Sequence, residues 1–193
     1  MKPQPHIGRQ VSHFHQVNID GIEAVFSDDM KYRYRLSIPF YDEPSRTKTL
    51  SVILKNPSSA DAMKADKTVQ NVEKVVYKAF SDVGKIEVLN LFALRGTYPK
   101  DVMEAYMAGI DIIGKENDSA FTWALMQSDY VVIAWGGASP IRNSLYDLRV
   151  DKVLTMINVP DFSGKVYRKI EKGSDKYPFH ACYWPDNTDF NVC

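Results

Sequence analysis

The stretch LSVILKNPSSA, residues 50–60, joins an apolar run to a polar segment that contains proline. The run LSVIL does not alternate between apolar and polar residues, so a strand formed by it must be covered on both faces. Such a strand is typical of the centre of a parallel sheet. Pro57 has no N–H to donate to a neighbouring strand, and Asn56 readily forms turns, so the strand is predicted to end here.

Further apolar runs alternate with helical patterns along the chain. Val69, Val72 and Val76 recur at helical spacing after Asp66, which is predicted to cap that helix. The other predicted strands are 85–92, 130–135 and 152–159, and the other predicted helices lie near 100–113, 118–128 and 140–149, the middle one capped by Asn117 or Asp118. This order predicts an α/β fold, a three-layer α/β/α arrangement with a mostly parallel central sheet of about four strands.

The N-terminal part of the chain has a different pattern. In YRYRLSI, residues 32–38, apolar and polar residues alternate, which predicts a half-buried antiparallel strand near a sheet edge. It is predicted to form a hairpin with 49–54 across the turn YDEPSRTK. Residues 1–24 are interpreted as a loosely held N-terminal arm whose three histidines are irregularly spaced, and residues 25–193 as a single domain.

Composition excludes several classes of protein. The 24 basic and 24 acidic residues cancel, which argues against a protein that coats DNA non-specifically. The two cysteines form no zinc-binding pattern, and no metal or cofactor is expected. The N-terminus lacks the apolar region of a signal peptide, and the apolar run 130–135 is too short to cross a bilayer, so no membrane contact is expected and a cytoplasmic location is predicted.

Polar and aromatic residues follow each predicted strand, where an open α/β sheet binds its ligands. The candidate ligand-binding residues are Asn56, Pro57, Ser58 and Ser59 after the first strand, Asn90, Phe92 and Arg95 at and after the second, Trp135 and Gly136 after the third, and His180 in a late loop. Amides, an imidazole, a guanidinium and flat rings on one edge favour recognition of a planar, polar ring.

The segments RYRLSI, NPSSADAMKADKT, NLFALRGTYP, END and VVIAWG resemble a family of bacterial and phage proteins, domain of unknown function sixteen-forty-three, over roughly residues 25–182. NPSS after the first strand, LNLF at 89–92, VVIAWG at 131–136 and a late histidine also resemble, more distantly, the uracil-DNA glycosylase superfamily. The second resemblance implies recognition of a nucleobase in a nucleotide or in DNA, and hydrolysis of its N-glycosidic bond.

The glycosylase resemblance implies a role for each matching residue. Asn56 would position the hydrolytic water, and Asp61 would assist because the aspartate of the related "DP" motif is absent here. Asn90 would read the edge of the base, and His180 would stabilise charge on the departing base. Phe92 and Trp135 are candidate stacking platforms, Gly136 permits close backbone approach, and Arg95 with Ser58 and Ser59 would contact phosphate.

Other interpretations remain open for the same residues. Asn56 and Pro57 are also what a strand end requires, and Asn90 is also suited to a structural hydrogen bond. The alternative function, from a different class, is a module that binds a nucleotide or modified base without catalysis. A third hypothesis is acyl or phosphoryl transfer through Ser58 or Ser59, although no G-x-S-x-G or glycine-rich phosphate loop accompanies them.

Overall fold

The computed structural model describes residues 10–57, 60–96, 98–158, 164–169 and 176–193. The strands are β1 (Gln10–Val11), β2 (Glu23–Phe26), β3 (Arg33–Pro39), β4 (Lys48–Leu54), β5 (Ala65–Asp66), β6 (Val83–Asn90), β7 (Tyr130–Ile133), β8 (Lys165–Arg168) and β9 (Asn191–Val192). The α-helices are α1 (Lys67–Ala79), α2 (Pro99–Met107), α3 (Asn117–Leu125) and α4 (Asn143–Ile157).

Seven of these strands form one sheet in the order β2-β3-β6-β4-β7-β8-β9, and β1 pairs separately with β5. The four inner strands β6, β4, β7 and β8 run parallel to one another. Antiparallel strands flank them on both sides, β3 and β2 beside β6, and β9 beside β8. The fold is therefore α/β with a mixed sheet, and the expectation of a mostly parallel sheet holds only for its centre.

The doubly buried strand predicted at LSVIL is confirmed as β4, which lies between β6 and β7. Leu50, Val52 and Leu54 belong to one apolar core and Ile53 to a second. Because successive strand residues point to opposite faces, the two cores lie on opposite faces of the sheet. Helix α1 covers the first core, and residues of α2, α3 and α4 build the second.

The strand predicted at 152–159 is wrong. Residues up to Ile157 belong to α4, and Val159 lies outside the described residues. The buried apolar residues of this helix are Tyr146, Val150, Val153 and Ile157, and their spacing is helical. The fourth parallel strand is β8, a short segment for which the sequence predicts no strand.

The predicted hairpin between 32–38 and 49–54 is also wrong. The strand β3 lies between β2 and β6, and β4 contacts the other edge of β6. A strand with neighbours on both sides and cores above and below it has little exposed surface. Arg33, which alternation places on the polar face, is consequently only 1% exposed.

Three predicted helices differ in their ends, and the one predicted near 140–149 is α4, which extends to Ile157. Helix α2 stops at Met107, and Gly109, with φ of 79°, lies in the loop that follows. The cap of α3 is Glu116 rather than Asn117 or Asp118, which are its first two residues. The helix predicted after Asp66 is confirmed as α1, which ends at Ala79, and Asp66 caps it by accepting a hydrogen bond from the Val69 N–H.

Residues 10–24 do not form the loosely held arm that the sequence predicts. Strand β1 pairs with β5, and Val17 is 1% exposed. The side chains of His13 and Glu73 are both fully buried, with 2.6 Å between Nδ1 and Oε1. The N-terminal segment is thus held against α1 by a buried polar pair.

Candidate functional site

The carboxyl ends of the inner strands meet at one edge of the sheet, which we call the carboxyl edge. Leu54 lies opposite Asn90, and Ile53 lies opposite Ile133. The segment that carries His180 also docks here, because the N–H of Ala181 donates to the carbonyl of Ala134. The structure therefore brings three strand ends and the late loop together.

Asn56 holds one loop of this edge. Its side-chain Nδ2 donates to the carbonyl of Gly96 at 3.2 Å, and the Gly96 N–H donates to the carbonyl of Pro57 at 3.0 Å. These bonds give Asn56 a structural role. The neighbouring Ser58 and Ser59 lie outside the described residues.

Asn90 is the last residue of β6 and is fully buried. It follows Val88 by two positions, so its side chain leaves the sheet on the face that α1 covers. Neither its Oδ1 nor its Nδ2 has a hydrogen-bond partner among the described residues. A buried unpaired amide group costs about 1–3 kcal/mol, so this carboxamide is an unusual feature of the core.

Three cations belong to the same edge and bond to backbone carbonyls. Arg33 donates through Nη1 to Ala60 at 2.7 Å, Lys55 through Nζ to Ser139 at 3.1 Å, and Arg95 through Nη1 to Met30 at 3.1 Å. Burial lowers the pKa of Arg33 to about 10 and the pKa of Lys55 to about 8. Both shifts reflect charge held where water cannot solvate it.

His180 packs against Gly136. A Cβ at Gly136 would lie 2.7 Å from the Cβ of His180, and Gly136 has φ of 69°, so both space and backbone require glycine. Nδ1 of His180 accepts a hydrogen bond from the Cys182 N–H at 3.2 Å. Burial lowers the pKa of His180 to about 4, and the charge of Lys55 acts in the same direction. The imidazole is therefore neutral near pH 7, with its proton on Nε2.

Asp61 is engaged by its own turn. Its Oδ1 accepts hydrogen bonds from the N–H groups of Met63 at 2.8 Å and Lys64 at 2.9 Å. The Asp61 carboxylate therefore caps a turn. Among the described residues, Asp61 and Asn56 share no hydrogen bond. The predicted assistance to a hydrolytic water stays a prediction.

Phe92 and Trp135 lie in the second core, at 0% and 1% exposure. The hydroxyl of Tyr146 donates to the carbonyl of Gly136 at 2.8 Å beneath them. Asn90 faces the first core, on the other side of the sheet. As placed, neither ring presents a face for stacking on a ligand that Asn90 contacts.

A family model described as a protein of unknown function, DUF1643, matches residues 33–180. The chain belongs to this family. No curated protein and no solved structure gives a significant match.

The DUF1643 match begins at Arg33 and ends at His180, and both residues lie at the carboxyl edge. Sequence patterns identify His180 but not Arg33, whose alternating neighbours indicate a solvent-facing position. Lys55 carries a weak signal, since it directly follows the buried run LSVIL. Its burial depends on the Ser139 loop, which only the folded chain brings close.

The part of the DUF1643 chain that the structure describes has neither a metal-binding cluster nor a membrane-spanning helix. There, His, Cys, Asp and Glu side chains form no group of three or more suited to a metal ion. Within the same residues, no helix combines the length and hydrophobicity that crossing a bilayer requires.

Proposed function

We propose that the carboxyl edge binds a nucleobase-containing ligand, as in the uracil-DNA glycosylase superfamily that the strand-end motifs resemble. The observation that carries the proposal is Asn90, a buried carboxamide whose donor and acceptor both lack partners among the described residues. The edge of a pyrimidine or purine offers one donor and one acceptor side by side, which complements a carboxamide. A base seated there would remove the energetic cost of the unpaired amide.

Hydrolysis of the N-glycosidic bond is the reaction that this proposal favours. When the N-glycosidic bond breaks, its electron pair stays on the ring nitrogen of a base such as uracil and is delocalised onto the exocyclic carbonyl oxygens. A neutral imidazole can donate a hydrogen bond to such an oxygen. The lowered pKa of His180 keeps its ring in the neutral form. Asn56 would hold the attacking water through Oδ1, since its Nδ2 is bonded to Gly96.

The test is release of free base from deaminated or modified DNA and nucleotides, together with calorimetric titration of the same ligands. Asn90→Ala should abolish both binding and release, and Asn56→Ala should reduce release with little effect on binding. Asn143→Ala, at the exposed start of α4, is the matched control. A folded Asn90→Ala variant with unchanged binding would contradict the proposal.

A non-catalytic nucleotide-binding module is the second candidate. Asp61 favours it, because its carboxylate already accepts two backbone hydrogen bonds and leaves Asn56 without an evident base. This candidate predicts binding that depends on Asn90 and no product after prolonged incubation. Release of base that Asn56→Ala removes would exclude it.

A further inference from the structure

We propose that Tyr183, backed by Phe179, is the platform on which the heterocycle of the ligand stacks. The inference rests on the proposed function and deepens it, because it assigns the contact with the flat face of the base that Phe92 and Trp135 do not provide. An aromatic platform favours flat heterocycles over sugars and aliphatic molecules. The carboxyl edge then selects its ligand by a flat face as well as by a polar edge.

Tyr183 belongs to the late loop that docks on the carboxyl edge. It ends a short 3₁₀ helix, Ala181–Tyr183, and its N–H donates to the carbonyl of His180 at 3.0 Å. The Ala181 N–H donates to the carbonyl of Ala134, the residue directly after β7. The backbone that carries Tyr183 is therefore fixed at the end of an inner strand and next to His180.

Helix α1 also anchors this turn. The Nδ2 of Asn71 donates to the carbonyls of Ala181 at 2.7 Å and Trp184 at 3.0 Å. Ala181 and Trp184 belong to the first core, and the side chain of Asn90 leaves the sheet on the face of that core. The turn that carries Tyr183 therefore lies on the same face of the sheet as the Asn90 carboxamide. Its backbone is already ordered, so a ligand that stacks there does not have to order it.

The ring of Tyr183 is both exposed and supported. Tyr183 is 54% exposed. The ring of Phe179 stacks against it, with 5.9 Å between the ring centroids and 27° between the ring planes. Phe179 therefore holds the ring in place while more than half of Tyr183 remains open to a ligand. Phe92 and Trp135 have no such open surface, because both are buried in the second core.

His180 places the platform within reach of the proposed base. The proposed function sets the imidazole of His180 against an oxygen of the base, across a hydrogen bond of about 3 Å. Aromatic rings stack with their centroids about 4.5–7 Å apart. The rings of His180 and Tyr183 have centroids 6.4 Å apart and meet at 67°. A base that bonds to the imidazole is therefore within stacking distance of Tyr183.

The experiment is calorimetric titration of the full chain with deoxyuridine, thymidine, deoxyadenosine and indole, the last a flat ring without the paired donor and acceptor of a base. We expect Tyr183→Leu to weaken the binding of each nucleoside about tenfold or more, and Tyr183→Phe, which keeps the ring, to change it less than about twofold. In NMR spectra the protons of the bound base should shift upfield with the wild type and with Tyr183→Phe, because they lie over an aromatic ring. A purely structural role of Tyr183 would not produce this shift.

Tyr41→Leu is the matched control. Tyr41 is 53% exposed, and it follows β3, whose residue Pro39 pairs with Lys85 near the start of β6. It therefore lies at the opposite end of the sheet from the carboxyl edge, and its loss should leave nucleoside binding unchanged. The unfolding temperatures of Tyr41→Leu and Tyr183→Leu show whether each variant is folded.

Each outcome separates the two proposals. Nucleosides that bind Tyr183→Leu as tightly as the wild type, while Asn90→Ala abolishes their binding, overturn the platform and leave the proposed function standing. Equal loss of binding in Tyr183→Phe and Tyr183→Leu assigns the effect to the hydroxyl and also overturns the platform. Binding of indole that Tyr183→Leu removes, in a chain that binds no nucleoside, supports the platform and overturns the nucleobase proposal.

The wild type alone gives two further outcomes. If Tyr183→Leu does not fold, the base-proton shifts with the wild type decide, and a bound nucleoside without an upfield shift contradicts the platform. A wild type that binds none of the four probes overturns both proposals.

Discussion

Two groups of buried polar side chains lie near α1, and they differ in whether the chain itself pairs them. In the first, His13 bonds to Glu73, and the second carboxylate oxygen of Glu73 accepts the Phe14 N–H at 2.8 Å. In the second, at the carboxyl edge, neither polar atom of the Asn90 side chain has a partner among the described residues, and the Arg33 side chain donates to the carbonyl of Ala60. The first group attaches the N-terminal segment, whereas in the second the Asn90 carboxamide makes no hydrogen bond to the described residues.

The comparison distinguishes buried polar groups that stabilise the fold from buried polar groups that the proposed function assigns to ligand binding. A buried pair with good geometry is strongly destabilised when one partner is removed. An unpaired buried group already costs free energy, so removing it should stabilise the empty protein. Substitutions in the two groups should therefore change stability in opposite directions.

The largest effect is expected from Glu73→Leu. The substitution leaves the His13 ring and the Phe14 N–H buried without an acceptor, and we expect a loss of about 3–5 kcal/mol in the free energy of unfolding. Urea unfolding followed by circular dichroism measures it. Glu104→Leu, at an exposed position of α2, is the control. If Glu73→Leu loses no more unfolding free energy than Glu104→Leu, the His13–Glu73 pair does not stabilise the fold, and the two groups of buried polar side chains do not differ in this respect.

Lys55→Met tests the unpaired group through its pH dependence. Because folding lowers the pKa of Lys55 from 10.5 to about 8, the unfolded chain binds more protons in that window, and stability rises with pH across it. The variant lacks this penalty, so near pH 7 we expect it to be more stable than the wild type by about 2 kcal/mol, allowing for the lost bond to Ser139. The advantage should shrink as the pH rises above 8. A stability difference between Lys55→Met and the wild type that does not change with pH would contradict the claim that Lys55 is desolvated in the folded protein.

Asn90→Leu should stabilise the ligand-free protein by about 1–2 kcal/mol, because it replaces two unpaired polar atoms with apolar ones of similar volume. Asn117→Leu is the matched comparison. Asn117 is equally buried, but its Nδ2 donates to the carbonyls of Asn90 and Leu91, so its loss should destabilise the protein. Denaturant unfolding of both variants measures whether Asn90→Leu raises and Asn117→Leu lowers the free energy of unfolding.

The smallest effect is expected from His180. Folding lowers its pKa from 6.5 to about 4, so the unfolded chain takes up a proton in this window that the folded chain does not. Stability should fall by about 1–2 kcal/mol as the pH drops from 6.5 to 4, a value reduced because the residue is only partly buried. In His180→Asn this slope should be shallower. An unchanged slope would assign the acid sensitivity to other groups.

The centre of the fold is predictable from sequence because its signals are local. LSVIL lacks alternation, and the α1 segment has both a capping residue and helical spacing, so β4 and α1 follow from short stretches. The strand predicted at 152–159 is wrong because apolar residues are nearly continuous there, and only the spacing from Tyr146 onward identifies a helix. The strand β8 has four residues and carries too little pattern to identify.

Only those residues of the candidate site that directly follow a buried strand are predictable from the sequence. The sequence identifies Asn56 and Asn90 because polar residues follow buried runs, and the register of β4 and β6 places both at one edge. The sequence does not identify Arg33 because its burial depends on long-range contacts with the carbonyls of Ala93 and Ala60. Phe92 and Trp135 illustrate the reverse error, since an aromatic ring after a strand has the same local signal in a core as in a binding site.

The most direct test of the central claim compares the unfolding free energies of wild type and Asn90→Leu with and without a saturating nucleoside monophosphate. The account predicts that the variant is more stable than the wild type in buffer and less stable when nucleotide is present, because only the wild type gains the free energy of binding. If the variant keeps its advantage at every nucleotide concentration, Asn90 does not read a ligand, and the contrast between the two buried groups has no functional meaning.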